Sequence, residues 1–279
     1  MNHSARRLSY AFLCSIPLLD LVIVGVRAFR VPGVYQAVGG LLFVAIVVAA
    51  WILGARQIRA GAEAEQRLAL AGGLLLAPWA LVSLLWVGLA TPWEATPAEN
   101  VMRYLVLLVG SFAVAGGFVV LSEALRETGE RFYSALGFAA NMLAGPAYLI
   151  WITLQVGGWS AKVHAGQIPP ALVSLDGVLD VLLFVACVLT YFATAAFAAS
   201  FGRTRWLGRG ATRAYVTVNF VALLFIVMRG MAFPDPTALS TAWYTGPGFI
   251  AGIPAVPWIM PFLLGVVLLR RAGDEQRRG

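Results

Sequence analysis

The sequence predicts an all-α, polytopic transmembrane helix bundle, and both its composition and its long apolar runs support this. Hydrophobic residues make up 60% of the 279 residues and charged residues only 12%, against roughly 45–50% and 25% in an average soluble chain. Mean hydropathy is +0.83. The runs are continuous and show none of the alternation of membrane strands, so helices are predicted and not a barrel. Six charge-free stretches are about as long as a bilayer span requires, or longer: Val31–Ala55, Leu68–Trp93, Tyr104–Ser122, Phe132–Ala161, Val181–Gly202 and Thr237–Leu269.

Two further candidate spans contain charge: Asp20 lies within Leu8–Phe29, and Arg229 within Ala214–Phe233. A signal peptide is a rival interpretation of the first span, but it lacks an Ala-x-Ala cleavage pattern and contains Asp20. We therefore expect residues 1–279 to form a single integral-membrane helical domain with no soluble domain. The runs together predict about eight helices, roughly 8–29, 33–55, 68–92, 99–124, 132–156, 171–201, 212–233 and 246–269.

The distribution of basic residues predicts the orientation, because basic residues accumulate on the cytoplasmic side of a membrane. With the N-terminus inside, fifteen basic residues fall on inner segments and five on the outer side or at outer helix ends. Both termini are therefore predicted to be cytoplasmic, and the net charge of +7 requires no nucleic-acid partner. The inner set is Arg6, Arg7, Arg56, Arg59, Arg67, Arg126, Arg131, Arg203, Arg205, Arg209, Arg213, Arg270, Arg271, Arg277 and Arg278; the outer set is Arg27, Arg30, Arg103, Lys162 and Arg229.

Two further patterns concern origin and symmetry. Lys162 is the one lysine, all other basic side chains are arginine, and Ala and Gly are abundant. This composition is typical of a GC-rich bacterial genome and predicts a plasma or inner membrane. "VAIVVAAWILGA" from Val44 resembles "VACVLTYFATAA" from Val185, and "GLATPWEATPA" from Gly88 resembles "GMAFPDPTA" from Gly230. Such spacing, near half the chain length, predicts a weak 4+4 parallel repeat of a kind known in transporters.

Charged residues inside the predicted spans concentrate in the outer half of the bundle. A charged residue at the centre of a spanning helix costs about 2.5–3.5 kcal/mol, so it persists where it faces a cavity or a partner. Asp176 and Asp180 are one helical turn apart and can face one site. The candidate binding residues are Asp20, Asp176, Asp180, Arg229 and Arg103, and the candidate cavity rim is Arg27, Glu99 and Trp159, of which Trp159 is predicted in an outer loop, 157–170.

Each candidate also has a structural interpretation. Asp176 lies near the start of its predicted helix, where a carboxylate complements the helix dipole. Arg103 and Arg229 can extend to the outer head groups. Asp20 and Asp180 lie deeper, where a structural ion pair between helices is the alternative to a binding site. We expect Asp20 and Asp180 to face one outward-open cavity with Arg229 as their countercharge.

The sequence lacks the motifs of several membrane chemistries. His3 and His164 lie at the terminus and in a predicted loop, so haem b ligation within the bundle is excluded, and Lys162 is placed wrongly for a retinal Schiff base. HExxH, GxSxG, Walker A and GxGxxG motifs are absent. Carboxylates of Asp20, Asp176 and Asp180 suit Mg, Ca or Mn, but no spacing requires a metal. We therefore predict neither a metal nor a cofactor.

Three function classes remain, ranked by these observations. The first is a membrane protein that binds or transports a small polar or amphiphilic solute from the outer face. The second is a non-catalytic membrane subunit of a larger complex with protein partners. The third is a membrane-embedded lipid-modifying enzyme. It ranks last because no nucleophile or metal is evident beside the carboxylates, so the sequence favours a protein that is not an enzyme.

Overall fold

A computed structural model describes residues 3–25, 34–88, 94–230 and 243–275, and this part of the chain is helical with no strand. A π-helical turn, Trp51–Ala55, follows α2, and a 3₁₀ turn, Val256–Trp258, precedes α11. The helices are α1 (His3–Gly25), α2 (Val34–Ala50), α3 (Gln57–Ala60), α4 (Glu63–Gly88), α5 (Pro97–Glu127), α6 (Phe132–Ala165), α7 (Pro170–Val173), α8 (Asp176–Arg203), α9 (Arg209–Arg229), α10 (Thr245–Gly252) and α11 (Ile259–Glu275).

Seven helical spans in the described ranges are long and apolar enough to cross a bilayer. The prediction of a polytopic helical membrane bundle is therefore confirmed. The remaining long helix is α1, with 23 residues, and the total of eight spans and the 4+4 repeat stay predictions. The spans are Gln36–Ala60, Glu63–Leu85, Pro97–Glu127, Phe132–Ala165, Asp176–Arg203, Arg209–Arg229 and Val256–Asp274.

Consecutive long helices run antiparallel, because short connections return the chain to its neighbour. Helix α4 packs on α5, α5 on α6, α6 on α8 and α8 on α9, while α11 packs against α4. Arg67 near the start of α4 forms an ion pair with Glu127 at the end of α5, so these two ends share one face. We call the face where α1 begins and α11 ends the terminal face, and the opposite one the distal face.

Helix α11 is the most enclosed span, with 72% of its apolar window buried, and glycines bring its backbone against the π-helical turn and α4. A Cβ added at Gly265 would lie 2.7 Å from the Gly72 carbonyl oxygen, and one at Gly72 would lie 2.9 Å from the Gly265 oxygen. A Cβ at Gly273 would lie 2.4 Å from the Leu53 oxygen. Since real Cβ atoms do not approach this closely, small residues set the distance between these helices.

Arg6 links α1 to the π-helical turn and to α11 at the terminal face. Its Nη2 donates to the carbonyl oxygens of Leu53 and Arg270, each at 3.0 Å, and its Nη1 lies 2.9 Å from Asp274 Oδ1. The Leu53 carbonyl stands in the π-helical turn, where Gly54 leaves helical geometry. The buried guanidinium therefore satisfies a backbone acceptor at the irregular turn.

Three of the predicted helices were wrong in continuity or in length. The predicted helix 171–201 is interrupted at Ser174 and Leu175, between α7 and α8, and Ser174 Oγ donates to the Ala171 oxygen at 2.8 Å within the turn. The predicted helix 246–269 is interrupted after Gly252, where Pro254 and Pro257 lack the N–H that a helix requires.

The third difference concerns the length of α6, which was predicted to end at residue 156. It continues to Ala165 and ends at Gly166, whose φ of 77° is left-handed. Segment 157–170, predicted as a loop, is therefore helical over its first nine residues. A Cβ added at Gly158 would lie 3.5 Å from Ile168 Cγ2 and from Leu172 Cδ1, so the chain packs back beside this extension and stabilises it.

Glu130 closes the connection between α5 and α6 at the terminal face. Its carboxylate accepts from the N–H groups of Phe132 at 3.1 Å, Tyr133 at 3.0 Å and Ser134 at 3.0 Å, and from Ser200 Oγ on α8 at 2.8 Å. Burial by itself would raise the pKa of Glu130, but these donors together lower the pKa below its ordinary value. The charged side chain therefore caps α6 and ties it to α8.

We predict that Gly265→Ala separates α11 from α4 and lowers the free energy of unfolding by about 1–3 kcal/mol, as overpacking of a tight contact does. Unfolding of the purified protein by a denaturing detergent, followed by circular dichroism, measures the change. Gly116→Ala is the matched control, because a Cβ there would meet only Leu74 Cδ1 at 3.8 Å. Equal stability of the two variants would contradict the proposed backbone contact.

Glu130→Gln is predicted to lower the free energy of unfolding by about 1–3 kcal/mol, since the amide cannot accept every one of these hydrogen bonds. Because the pKa is lowered in the folded protein, the contribution is fully present above the ordinary glutamate value, about 4.3. It is lost as the pH falls through the lowered pKa. The wild-type protein should therefore lose more stability on acidification than the variant.

The matched control for this comparison is Glu123→Gln. Glu123 is exposed and pairs with Arg126 at 3.0 Å on the same helix, an interaction worth little. We expect its acid sensitivity to equal that of the wild type in the same unfolding measurement. An identical pH dependence in all three proteins would show that Glu130 does not contribute in the way described.

Candidate functional site

The interruption between α10 and α11 lies inside the bundle, where side chains from two other helices satisfy its backbone. Tyr191 Oη on α8 donates to the Ala251 oxygen at 2.9 Å, and Tyr148 Oη on α6 donates to the Pro254 oxygen at 3.1 Å. Both tyrosines are 3% exposed. Irregular backbone at membrane depth occurs where protein or a water-filled cavity surrounds it. This segment, Gly252–Val256, is the centre of the candidate site.

Arg229, the last residue of α9, lies along α10 next to the interruption. A Cβ at Gly248 would lie 2.6 Å from Arg229 Cβ, and one at Gly252 would lie 2.3 Å from Arg229 Nη1. Nη1 also donates to the Gly248 oxygen at 3.4 Å. The two glycines, four residues apart, therefore form a shallow groove that holds the half-buried arginine against α10.

Asp180 supplies the opposite charge from α8. It is half-buried, and its charge attracts that of Arg229. The first helical residue of α8 is Asp176, so Asp180 lies about 6 Å into the helix at 1.5 Å per residue, closer to the helix start than the predicted boundary implied. Two predicted binding residues, Asp180 and Arg229, are therefore brought together.

The same face of α8 carries residues that sequence reasoning did not select. Cys187 and Tyr191 follow Asp180 by seven and eleven positions, the spacing of one helical face. Cys187 is fully buried, and its Sγ lies 3.4 Å from Tyr148 Oη. Its periodicity with Asp180 was the available signal, whereas nothing in the sequence indicated Tyr148.

Trp258 forms the apolar wall of this region. Its ring is tilted against that of Tyr148 with centroids 5.6 Å apart, and a Cβ at Gly110 would lie 2.7 Å from the indole. The side chain is 1% exposed, and its Nε1 has no hydrogen-bond partner in the described structure. A buried donor of this kind calls for an explanation, such as a water or a ligand group.

Asp20 occupies a different environment, between α1 and α4. It is 1% exposed, and its Oδ2 accepts from Trp79 Nε1 at 2.8 Å and contacts Ser83 Oγ. Its partners are therefore neutral groups of α4, whereas Arg229 contacts α10 and attracts Asp180. That Asp20 and Asp180 face one cavity stays a prediction.

Two further candidates have local partners on α5. Glu99 completes a capping box at the start of the helix: its carboxylate accepts from the Thr96 N–H at 2.7 Å, and its own N–H donates to Thr96 Oγ1 at 3.3 Å. Arg103, 7% exposed, donates to the Asn100 side-chain oxygen one turn earlier. Glu99 thus has a structural role. The Arg103 side chain is buried, so it does not extend to the outer head groups as one interpretation of the sequence suggested.

The other predicted residues lie at the distal ends of α6 and α8. Asp176 is exposed at the first position of α8, the position expected for the helix-dipole interpretation. Trp159 is half-buried on α6, beneath the ammonium of Lys162 at 4.9 Å and beside Tyr104. Arg27 lies outside the described residues.

The described ranges contain no group of three or more His, Cys, Asp or Glu side chains close enough to hold a metal ion. The absence of a cofactor stays an expectation. No protein-family model matches the chain, and no curated protein or solved structure is significantly similar to it. Function is therefore argued from the geometry of the site.

Proposed function

We propose that this integral membrane protein binds and transports a small polar or amphiphilic solute at the interruption between α10 and α11. The observation that carries the proposal is that Arg229 and Asp180, both half-buried, lie near enough beside an interrupted helix for their charges to attract. Interrupted helices with free terminal groups form the substrate sites of many secondary transporters. Charged residues inside a membrane bundle are expensive and mark solute pathways.

The chemistry of these groups indicates the class of solute. The Arg229 guanidinium is a donor only and the Asp180 carboxylate an acceptor only, so a solute carrying both an acceptor and a donor matches the pair. The aromatic rings of Trp258 and Tyr148 provide an adjacent apolar surface. A small zwitterion, or an amphiphile with a polar head, combines these properties.

We further propose a bacterial plasma or inner membrane with both termini in the cytoplasm, which makes the distal face extracytoplasmic. The excess of arginine on the terminal-face segments supports this orientation. The α9 end that bears Arg229 then lies towards the outside, and the solute enters from the outer face.

A specific observation favours the second candidate, a membrane subunit of a larger complex. Only 11% of the apolar window of α9 is buried, against 39–72% for the other spans, so lipid or a partner covers this helix. No observation in the structure favours a lipid-modifying enzyme over these two. Solute binding ranks first because docking of a partner does not explain why Asp180 and Arg229 lie half-buried beside the interrupted helix.

Reporter fusions test the orientation. A cytoplasmically active reporter should be active after Gly279 or within the connection at Gly208, and inactive within the connection at Gly166. An extracytoplasmically active reporter should give the reverse pattern. Cytoplasmic activity at Gly166 would contradict the orientation and place the solute site on the other side of the membrane.

Thermal unfolding in lipid nanodiscs tests solute binding, using a panel of amino acids, sugars, carboxylates and quaternary amines. At least one class should raise the Tm of the wild type. Arg229→Gln and Asp180→Asn should weaken binding of that class about 10- to 100-fold, the loss of one hydrogen bond to a charged group. Arg126→Gln is the matched control, since Arg126 is exposed and pairs with Glu123 on its own helix.

Two results would count against the proposal. A solute that stabilises all four proteins equally binds elsewhere. A protein that no solute stabilises, and that copurifies in fixed stoichiometry with another polypeptide, is a complex subunit.

A further inference from the structure

The Ser83 hydroxyl stands between two acceptors. Ser83 Oγ contacts Asp20 Oδ2 on one side and lies 2.9 Å from the Trp79 carbonyl oxygen on the other. A serine hydroxyl has one proton and donates one hydrogen bond at a time. If it donates to the Trp79 carbonyl, the contact with Asp20 is a hydrogen bond only when the proton belongs to Asp20.

The three side chains therefore accommodate two protonation states. With Asp20 ionised, Ser83 Oγ–H and Trp79 Nε1–H both donate to Oδ2. With Asp20 protonated at Oδ2, that O–H donates to Ser83 Oγ, the serine O–H turns to the Trp79 carbonyl, and Trp79 Nε1–H still donates to Oδ2. One O–H bond forms at Asp20, the proton comes from water, and no heavy atom has to move.

The surroundings of Asp20 supply no counter-ion in the described structure. In the part of the chain that the structure describes, the carboxyl group is buried, Oδ1 has no hydrogen-bond partner, and Oδ2 contacts Trp79 and Ser83. Helices α2, α4 and α11 and the π-helical turn pack on α1. Their charged residues, and those of α1, lie towards helix ends at the terminal face: Arg6 and Arg7 on α1, Glu63, Glu65 and Arg67 on α4, and Arg270, Arg271, Asp274 and Glu275 on α11. The other ionisable residues are His3, Tyr10 and Cys14 on α1 and Tyr35 on α2, and Cys14, in the middle of α1, precedes Asp20 by six positions.

We propose that Asp20, Ser83 and Trp79 form a proton-binding site in the interior of the bundle. The ligand is a proton and not a metal cation, because both neighbouring donors point hydrogen at Oδ2 and leave Oδ1 as a single acceptor, whereas metal cations gather several oxygen ligands. The site shares no residue with the solute site and stands whether or not the solute proposal holds. If both hold, protonation of α1 is available to couple solute movement to a proton gradient.

Infrared difference spectroscopy of the full-length protein in lipid, between alkaline and acidic buffer, tests the site. The wild type should show a carboxylic-acid C=O band that Asp20→Asn lacks. Asparagine donates to Ser83 as the protonated acid does, so this variant should fold. Asp176→Asn, which removes an exposed carboxylate, should retain the band. A spectrum unchanged by Asp20→Asn at every pH would overturn the proposal.

A second variant tests the site with Asp20 in place. Trp79→Phe removes a donor that favours the ionised carboxyl group, so the band should appear at a pH about one unit or more higher than in the wild type. An unchanged midpoint would overturn the three-residue arrangement. A band that sodium chloride abolishes at constant pH, while choline chloride does not, would assign the site to a metal cation.

Discussion

The requirement that every backbone polar group find a partner without water governs the irregular parts of this bundle. At the π-helical turn, the Leu53 carbonyl accepts from Arg6. At the interruption before α11, the Ala251 and Pro254 carbonyls accept from tyrosines of α8 and α6. In each case a long polar side chain from a different helix supplies the missing hydrogen bond, so an irregular segment also becomes a junction between helices.

The acidic residues Asp180 and Asp20 show how the same constraint treats charge. Asp180 lies near Arg229, and the two charges attract each other at the edge of the interrupted helix. Among the described residues, the donors to Asp20 are neutral groups of Trp79 and Ser83. An isolated charge in such surroundings is costly, and proteins relieve that cost with a countercharge or with a proton. The two carboxyl groups therefore have different environments, one near a countercharge and one among neutral donors, as the proposed solute site and the proposed proton site require.

Close backbone packing makes these arrangements feasible. Gly72 and Gly265 allow α4 and α11 to touch along their backbones, and Gly248 and Gly252 leave room on α10 for the Arg229 side chain. Small residues thus serve two purposes, because they allow helices to approach and they create grooves that larger side chains from a third helix fill. The fold holds Arg229 near Asp180 through shape as well as charge.

The sequence by itself determined the class of fold and the approximate position of spans such as Pro97–Glu127, because composition and unbroken apolar runs are local properties. It also singled out Asp20, Asp180 and Arg229, because charge inside an apolar run stands out. The tertiary structure alone decided that Trp79 and Ser83 surround Asp20, and that Tyr148 and Tyr191 reach the interruption before α11. Those contacts join residues 59–106 positions apart, and apolar periodicity carries no information about which helices become neighbours. The end of α6 was likewise decided by tertiary structure. The helix continues to Ala165 because the chain beyond it packs back beside Gly158, and no local sequence pattern predicts that packing.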